Sequence, residues 1–177
     1  MYQVFDNALS EAEEKYVDTL ISDMGVSWYF RATTAKGKGA PNDNQVLVHT
    51  LLERPEVKTD QRVRSHLFEF FEGLFKNFCQ RNKVQFKTIH RAALNLTFYN
   101  PQKFGFVHND HRFAHKNFIL YLNEFTGGST YIMEDERKIL AEIEAKKNRA
   151  VIFNGCMHAQ GFCALNESRV VFVLTFS

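Results

Sequence analysis

The sequence predicts a mainly β fold, a sandwich or jelly roll with helices packed on one sheet, and three observations carry that reading. Beyond about residue 88 the chain breaks into short segments rich in aromatic and β-branched residues, separated by turn formers. Before that point it holds two stretches of helical periodicity. No internal repeat or linker interrupts it, and 177 residues suit one domain, which at this size buries roughly 70% of the surface of its unfolded chain. The expected organisation is a single domain over 1–177, with 1–87 mostly helical support and loop and 88–177 a β core that carries the chemistry.

The first element follows from Ser10 and Glu13, a capping-box pair opening a helix with Tyr16, Val17, Leu20 and Ile21 on one face and Gly25 at its end. Residues 31–44 are polar and glycine-rich without periodicity, which predicts a mobile loop; whether it acts as a lid is not legible. From Asp60, the residues Val63, Leu67, Phe70, Phe71, Leu74, Phe75 and Phe78 recur at intervals of three and four, the stripe of a long amphipathic helix. Strands are expected at 89–99, 104–108, 117–122, 130–133, 150–153, 158–163 and 169–176. Turns fall at Asn100-Pro101, Gly127-Gly128, Asn154-Gly155 and 166–168. In 134–148 the Glu, Lys and Ala content favours helix, while alternating Ile139, Ala141 and Ile143 favour a strand, which is the preferred reading.

Composition bounds the function. The 18 Phe point to a core or pocket walled by aromatic rings, most of them packing. A formal charge of +2 with scattered basic residues marks no surface for polyanions, so no nucleic-acid partner is expected. Cys79, Cys156 and Cys163 form no CxxC pair and read as free thiols in a reducing compartment. The N-terminus has neither a basic start nor a long apolar run, and no stretch approaches ~18 uninterrupted apolar residues. The expectation is a cytoplasmic protein with no membrane association.

His108 and Asp110 carry the most information. Two apart on an extended segment, they face the same way and can offer an imidazole nitrogen and a carboxylate oxygen to one ion. His158 would complete a set of two histidines and one carboxylate, the donor set of a non-haem Fe(II) centre with open positions. A competing reading takes His108, Asp110, His111 and His115 as a local zinc cluster, which would leave His158 and Arg169 without a role. Otherwise His111 and His115 are expected at the surface, with a place behind the metal ligands or facing the substrate as the alternative. Cys156 reads as a buried thiol, since thiolate favours zinc. His49, His66 and His90 read as structural, and Lys36-Gly37-Lys38-Gly39 lacks the Gly-Lys-Ser/Thr of a phosphate loop.

Over residues 90–176 the chain resembles the iron(II)- and 2-oxoglutarate-dependent dioxygenases, in particular their prolyl-4-hydroxylase-like branch and its small phage-type relatives. The segments that carry the resemblance occur in the family's order. They are Asn95-Leu96-Thr97-Phe98-Tyr99, His108-Asn109-Asp110, Tyr121-Leu122-Asn123, Gly127-Gly128-Ser129-Thr130, Lys147 to Phe153, His158, and Arg169-Val170-Val171-Phe172. The resemblance implies a double-stranded β-helix, or jelly roll, with iron near the pocket mouth, held by His108, Asp110 and His158. Arg169 would hold the distal carboxylate of 2-oxoglutarate with its planar fork. Tyr121 would donate its hydroxyl to the same carboxylate, and Tyr99 would lean over the iron-proximal end; as core tyrosines both would simply have satisfied hydroxyls. Asn95 and Thr97 share the face of Tyr99 and offer further polar contacts. Ser129 stands where relatives commonly carry an acidic residue, which bears on substrate preference.

The activity so implied is Fe(II)- and 2-oxoglutarate-dependent hydroxylation of an unactivated C–H bond, with O2 consumed, succinate and CO2 released, and ascorbate as a supporting reductant. A peptidyl proline or another amino-acid side chain is the leading substrate, in a peptide or a small molecule. The alternative is a non-catalytic, cupin-like jelly roll that uses its pocket for a ligand. Oligomeric state is not legible.

Overall fold

Twelve elements follow one another in the computed structural model, which describes residues 1–32, 45–56 and 62–177. They are β1 (Tyr2–Phe5), α1 (Glu11–Ser22), β2 (Tyr29–Arg31), β3 (Val46–Leu52), α2 (Phe68–Asn82), β4 (Ile89–Phe98), β5 (Lys116–Tyr121), β6 (Thr130–Met133), β7 (Ile139–Ile143), β8 (Ala150–Asn154), β9 (His158–Gln160) and β10 (Ser168–Phe176). Seven strands form a large sheet in the order β1-β8-β5-β10-β4-β3-β2, and three form a small one in the order β7-β6-β9. All pairings are antiparallel. The architecture is the expected jelly roll, with both helices on one side of the large sheet.

Period-two alternation sorts that sheet into two faces of opposite chemistry. Register sets Leu94 beside Phe172 beside Leu120, and Ala92 beside Leu174 beside Phe118, all buried against α2. The helix presents Phe71, Leu74, Phe75 and Phe78 at helical spacing. Phe71 meets Phe172 at 4.9 Å between ring centroids, Phe75 meets Phe118 and Phe176 at 5.2 and 5.1 Å, and Phe78 meets Phe118 at 5.0 Å. Each buried ring contributes roughly 1.5–3 kcal/mol. The aromatic load is therefore spent on the helix–sheet core, and Phe118 is the one phenylalanine among the residues lining the pocket on the opposite face.

α1 begins as expected, with Ser10 and Glu13 closing a reciprocal capping box. It is tied to the sheet by the turn before β8. Asn148, at φ 59°, accepts from Leu9 N at 2.7 Å and donates to Glu14 at 2.7 Å, and Lys147 reaches Asp18 at 2.7 Å.

Several expectations are corrected. α2 begins at Phe68, so Val63 and Leu67 lie outside it; the expected start at Asp60 falls outside the described residues. Sheet pairing competes successfully here: Glu53 N donates to Arg62 O at 2.7 Å, Arg64 N donates to Leu51 O at 2.9 Å, and Val63 pairs with Leu52. The first half also contributes three strands that helical periodicity did not reveal, β1, β2 and β3. Residues 104–108 are not a regular strand but touch β9 and its continuation at two points, Phe104 to Gly161 and His108 to His158. The strand preferred within 134–148 is present as β7. The loop expected over 31–44 lies outside the described residues from 33 onward. Among the described residues no helix is long and apolar enough to cross a membrane.

Candidate metal centre

The pocket lies between the two sheets. Its floor comes from β4, β5 and β10, and its roof from Thr130 on β6 and His158, Ala159 and Gln160 on β9. His108 and His158 exchange backbone hydrogen bonds, N to O at 3.0 and 2.9 Å, which brings two residues fifty positions apart side by side. Their imidazole centroids are 4.5 Å apart. Asp110, two residues on, turns Oδ2 to within 3.5 Å of His158 Nε2. One ligand atom from each of the three residues lies within 4.8 Å of the others.

Hydrogen bonding prepares this set for a metal. His108 Nδ1 bonds to Phe106 O at 3.0 Å and His158 Nδ1 bonds to Cys156 O at 2.9 Å. A carbonyl oxygen only accepts, so each Nδ1 carries the proton and each Nε2 keeps its lone pair for an ion. Burial, then the neighbouring His108, pushes His158 down to about 4 against the pull of Asp110, so it is neutral at neutral pH, as a ligand must be. Burial alone would raise the Asp110 carboxyl. Arg91, His158, His108 and Arg54 outweigh it and hold the group far below the usual carboxylate range.

Neither Arg54 nor Arg91 was among the expected site residues. Arg54 donates to Asp110 Oδ1 at 2.7 Å and also to the Asp110 carbonyl, and Arg91 donates to the same Oδ1 at 3.0 Å. Oδ1 is thus occupied by two guanidinium groups, and Oδ2 is the oxygen that faces the histidines. Arg91 was within reach of sequence reading, because Arg91, Ala93, Asn95 and Thr97 alternate with apolar residues along β4. Arg54 precedes a proline at the end of β3 and carries no such signal.

Toward the other end of the floor, Arg169 is 2% exposed and pairs in register with Thr97. Its Nε donates to Gly128 O at 2.9 Å, and its guanidinium carbon lies 5.4 Å from the Tyr121 ring centroid. Among the described residues no carboxylate pairs with it, and burial lowers its pKa. Gly128 has φ +65°, and a Cβ there would come within 3.1 Å of Arg169 Cδ, so the glycine pair shapes the seat of the arginine. Tyr121 is fully buried and its hydroxyl shares a 2.7 Å hydrogen bond with Thr130 Oγ1. Tyr99 lies just past β4, is 48% exposed and does not line the pocket.

Several buried polar atoms on this side of the sheet have no partner among the described residues: Asn95 Oδ1, Thr97 Oγ1, both side-chain atoms of Asn117, and Gln160 Nε2. Asn95, Asn117 and Gln160 line the pocket. Each unpaired buried group costs about 1–3 kcal/mol, a cost that a polar ligand would offset. A buried guanidinium without an anion among the described residues at one end, a His-Asp-His set with both Nε2 lone pairs free at the other, and unpaired amides at Asn95 and Gln160 fit Fe(II) and a dicarboxylate such as 2-oxoglutarate.

The expectation that His111 and His115 lie at the surface is corrected, for both are buried. His111 Nδ1 meets Glu56 at 2.8 Å and Nε2 meets Thr175 Oγ1 at 2.7 Å, so neither nitrogen is left for a metal. The His115 ring packs against Gly155, where a Cβ would collide with it. Neither joins a ligand group among the described residues, which removes the basis of the zinc cluster. Cys156 is half-buried and all three cysteines are free. Ser129 is buried, and its carbonyl accepts from Gly161 N at 2.6 Å.

No family model and no curated protein sequence matches the chain. Solved structures do match it. An oxidoreductase of the 2OG-Fe(II) oxygenase family from Burkholderia pseudomallei aligns with TM-score 0.75 and 14% identity, over 99% of this chain and 84% of its own. A prolyl hydroxylase from Trichoplax adhaerens, in complex with a hypoxia inducible factor oxygen degradation domain peptide fragment, aligns with TM-score 0.67 and 11% identity, over 99% and 82%. A viral collagen prolyl hydroxylase from Paramecium Bursaria Chlorella virus-1 gives TM-score 0.56 and 14% identity, over 99% and 89%. The chain has the fold of the 2OG-Fe(II) oxygenases, with a His-Asp-His group able to hold a metal in its pocket.

Proposed function

We propose that the protein is an Fe(II)- and 2-oxoglutarate-dependent dioxygenase that hydroxylates an unactivated C–H bond of a peptidyl proline or another amino-acid side chain. The observation that carries the reading is the pairing of two features in one pocket: a His-Asp-His set with both Nε2 lone pairs free, and a buried Arg169 without an anion. The prolyl hydroxylases among the structural neighbours, one of them bound to a peptide, support an amino-acid acceptor.

His108, Asp110 and His158 would hold the iron through Nε2, Oδ2 and Nε2, a donor set that leaves room for the cosubstrate and O2. Bound iron and 2-oxoglutarate supply the oxidising chemistry, in which one atom of O2 enters succinate as CO2 leaves and the other is inserted into the substrate C–H bond. Arg169 would bind the distal carboxylate in a low-dielectric seat, with Tyr121 and Thr130 completing its polar surroundings. Tyr99 would act at the iron-proximal end only by moving inward from its exposed position. Arg54 and Arg91 fix the Asp110 carboxylate, so that one oxygen is presented to the ion in a set orientation. The pocket walls restrict water around the reacting centre. In this reading the protein works in the cytoplasm, as one domain over 1–177.

Incubation with Fe(II), ascorbate and 2-oxoglutarate against a peptide and metabolite panel tests the proposal. Succinate release with a one-oxygen mass gain on an acceptor is the expected result. Folded protein that forms no succinate with any acceptor, and none without one, would leave a ligand-binding module.

A further inference from the structure

Beyond the triad, the pocket has a second cationic end, separate from the seat of Arg169. Along β10 the floor residues run Arg169, Val171, Val173 and Thr175, so the two ends are six residues apart, about 20 Å at strand rise. At the far end Thr175 lies in register with Arg91 on one side and Asn117 on the other. Arg54 reaches in from the chain after β3. Arg54 and Arg91 both line the pocket, and they share one carboxylate oxygen between two positive charges.

Among the described residues, the formal charge at this end is not balanced. Glu53 pairs with Arg64 at 3.6 Å and also acts on Arg91, while Glu56, bonded to His111 and coupled to Arg54, carries one formal negative charge against the one positive charge of Arg31 near Arg91. With iron bound, the single charge of Asp110 is shared between the dication and both guanidinium groups. After a cosubstrate dianion is seated on Arg169 and the metal, two formal positive charges remain on the Arg54 and Arg91 side. Asn117 supplies an independent sign that a ligand belongs here. It is 2% exposed, it lines the pocket, and neither its carbonyl oxygen nor its amide nitrogen has a partner among the described residues.

We propose that Arg54, Arg91 and Asn117 form the acceptor subsite, and that they select a substrate carrying a carboxylate close to the C–H bond to be oxidised. The inference rests on the oxygenase reading and narrows its substrate class to acidic amino-acid acceptors, an Asp or Glu side chain in or beside the hydroxylated residue. The carboxylate meets guanidinium N–H groups not directed at Asp110 and the amide N–H of Asn117, while the Asn117 carbonyl accepts from the acceptor's backbone.

Two pools of blocked, proline-containing pentapeptides test this, identical except that one carries Asp or Glu beside the proline and the other Asn or Gln. Binding is measured to protein loaded with Mn(II) and 2-oxoglutarate, and peptide-stimulated succinate release to protein loaded with Fe(II). The acidic pool is expected to bind at least about tenfold more tightly, with the advantage shrinking as salt rises. In Arg54→Gln, and separately in Asn117→Leu, which touches no metal ligand, the preference falls below about threefold, while the visible band of the iron–cosubstrate chelate reports loading. Equal binding of both pools, a preference unchanged in both variants, or binding of neither pool by loaded protein overturns the proposal. Failure of the wild-type chelate band to form overturns the oxygenase reading instead.

Discussion

His108 and His158 are joined by a reciprocal pair of backbone hydrogen bonds, and each ring is locked by a carbonyl two residues earlier in its own segment. The convergence of the candidate ligands is therefore written into the backbone between the HxD segment and β9. Replacing either histidine by Gln retains that pairing but removes an imidazole donor. His158→Gln should weaken Fe(II) binding by about 10-fold or more without abolishing cooperative unfolding, as read by metal titration beside thermal denaturation.

Among the described residues, Asp110 is the only carboxylate between Arg54 and Arg91 and the histidines. Asp110→Ala removes a ligand and also leaves two partly buried guanidinium groups without their anion. The variant should lose metal-dependent turnover. Its metal-free form should unfold at roughly 2–4 kcal/mol lower free energy than wild type, less than a fully buried broken pair because Arg54 reaches solvent. Denaturant unfolding measures the second effect independently of the first, and unchanged stability would contradict the shared ion pair.

Acid should destabilise the metal-free protein through His158. Its folded pKa is about 4, below the unfolded value of 6.5, so between those pH values the unfolded chain binds the extra proton. Stability is present above about 6.5, falls as pH drops toward 4, and gains no further slope from this group below that. Unfolding free energies from pH 7 to 4, for wild type against His158→Gln, should show a steeper decline in the wild type.

Phe75 touches Phe118, Phe176 and Phe86 in the helix–sheet core, on the side of the sheet away from the metal. Phe75→Ala should cost about 3–5 kcal/mol while leaving Fe(II) affinity of the folded protein near the wild-type value. Gly128→Ala should instead disturb the pocket as well as the fold. It forces a side chain to φ +65° and crowds Arg169 Cδ, so a stability loss of about 1–3 kcal/mol should accompany a weaker KM for 2-oxoglutarate.

The candidate His-Asp-His group and Arg169 were legible because HxD, the later histidine and the arginine sit in distinctive local contexts: a segment end, a strand start and a last strand. α1 was legible because Ser10 and Glu13 satisfy its first turn locally. What escaped depends on partners remote in the chain. β1 and β2 are short edge strands whose residues acquire their role only by pairing with β8 and β3. Val63 shows the period of a helix, yet is claimed by Leu52 across the sheet end. His111 is polar by composition and buried because Glu56 and Thr175, 55 and 64 residues away, satisfy both its nitrogens. Arg54 is a site residue only because the chain after β3 passes Asp110. Periodicity reports which face is buried; it does not report which polar groups meet there.

Anaerobic addition of Fe(II) and then 2-oxoglutarate, followed by visible absorption, tests the central claim most directly. One iron per chain and a weak charge-transfer band, present in wild type and lost in Asp110→Ala and His158→Ala, is the predicted result. Folded wild-type protein without the band, or a band that survives loss of either side chain, would contradict it.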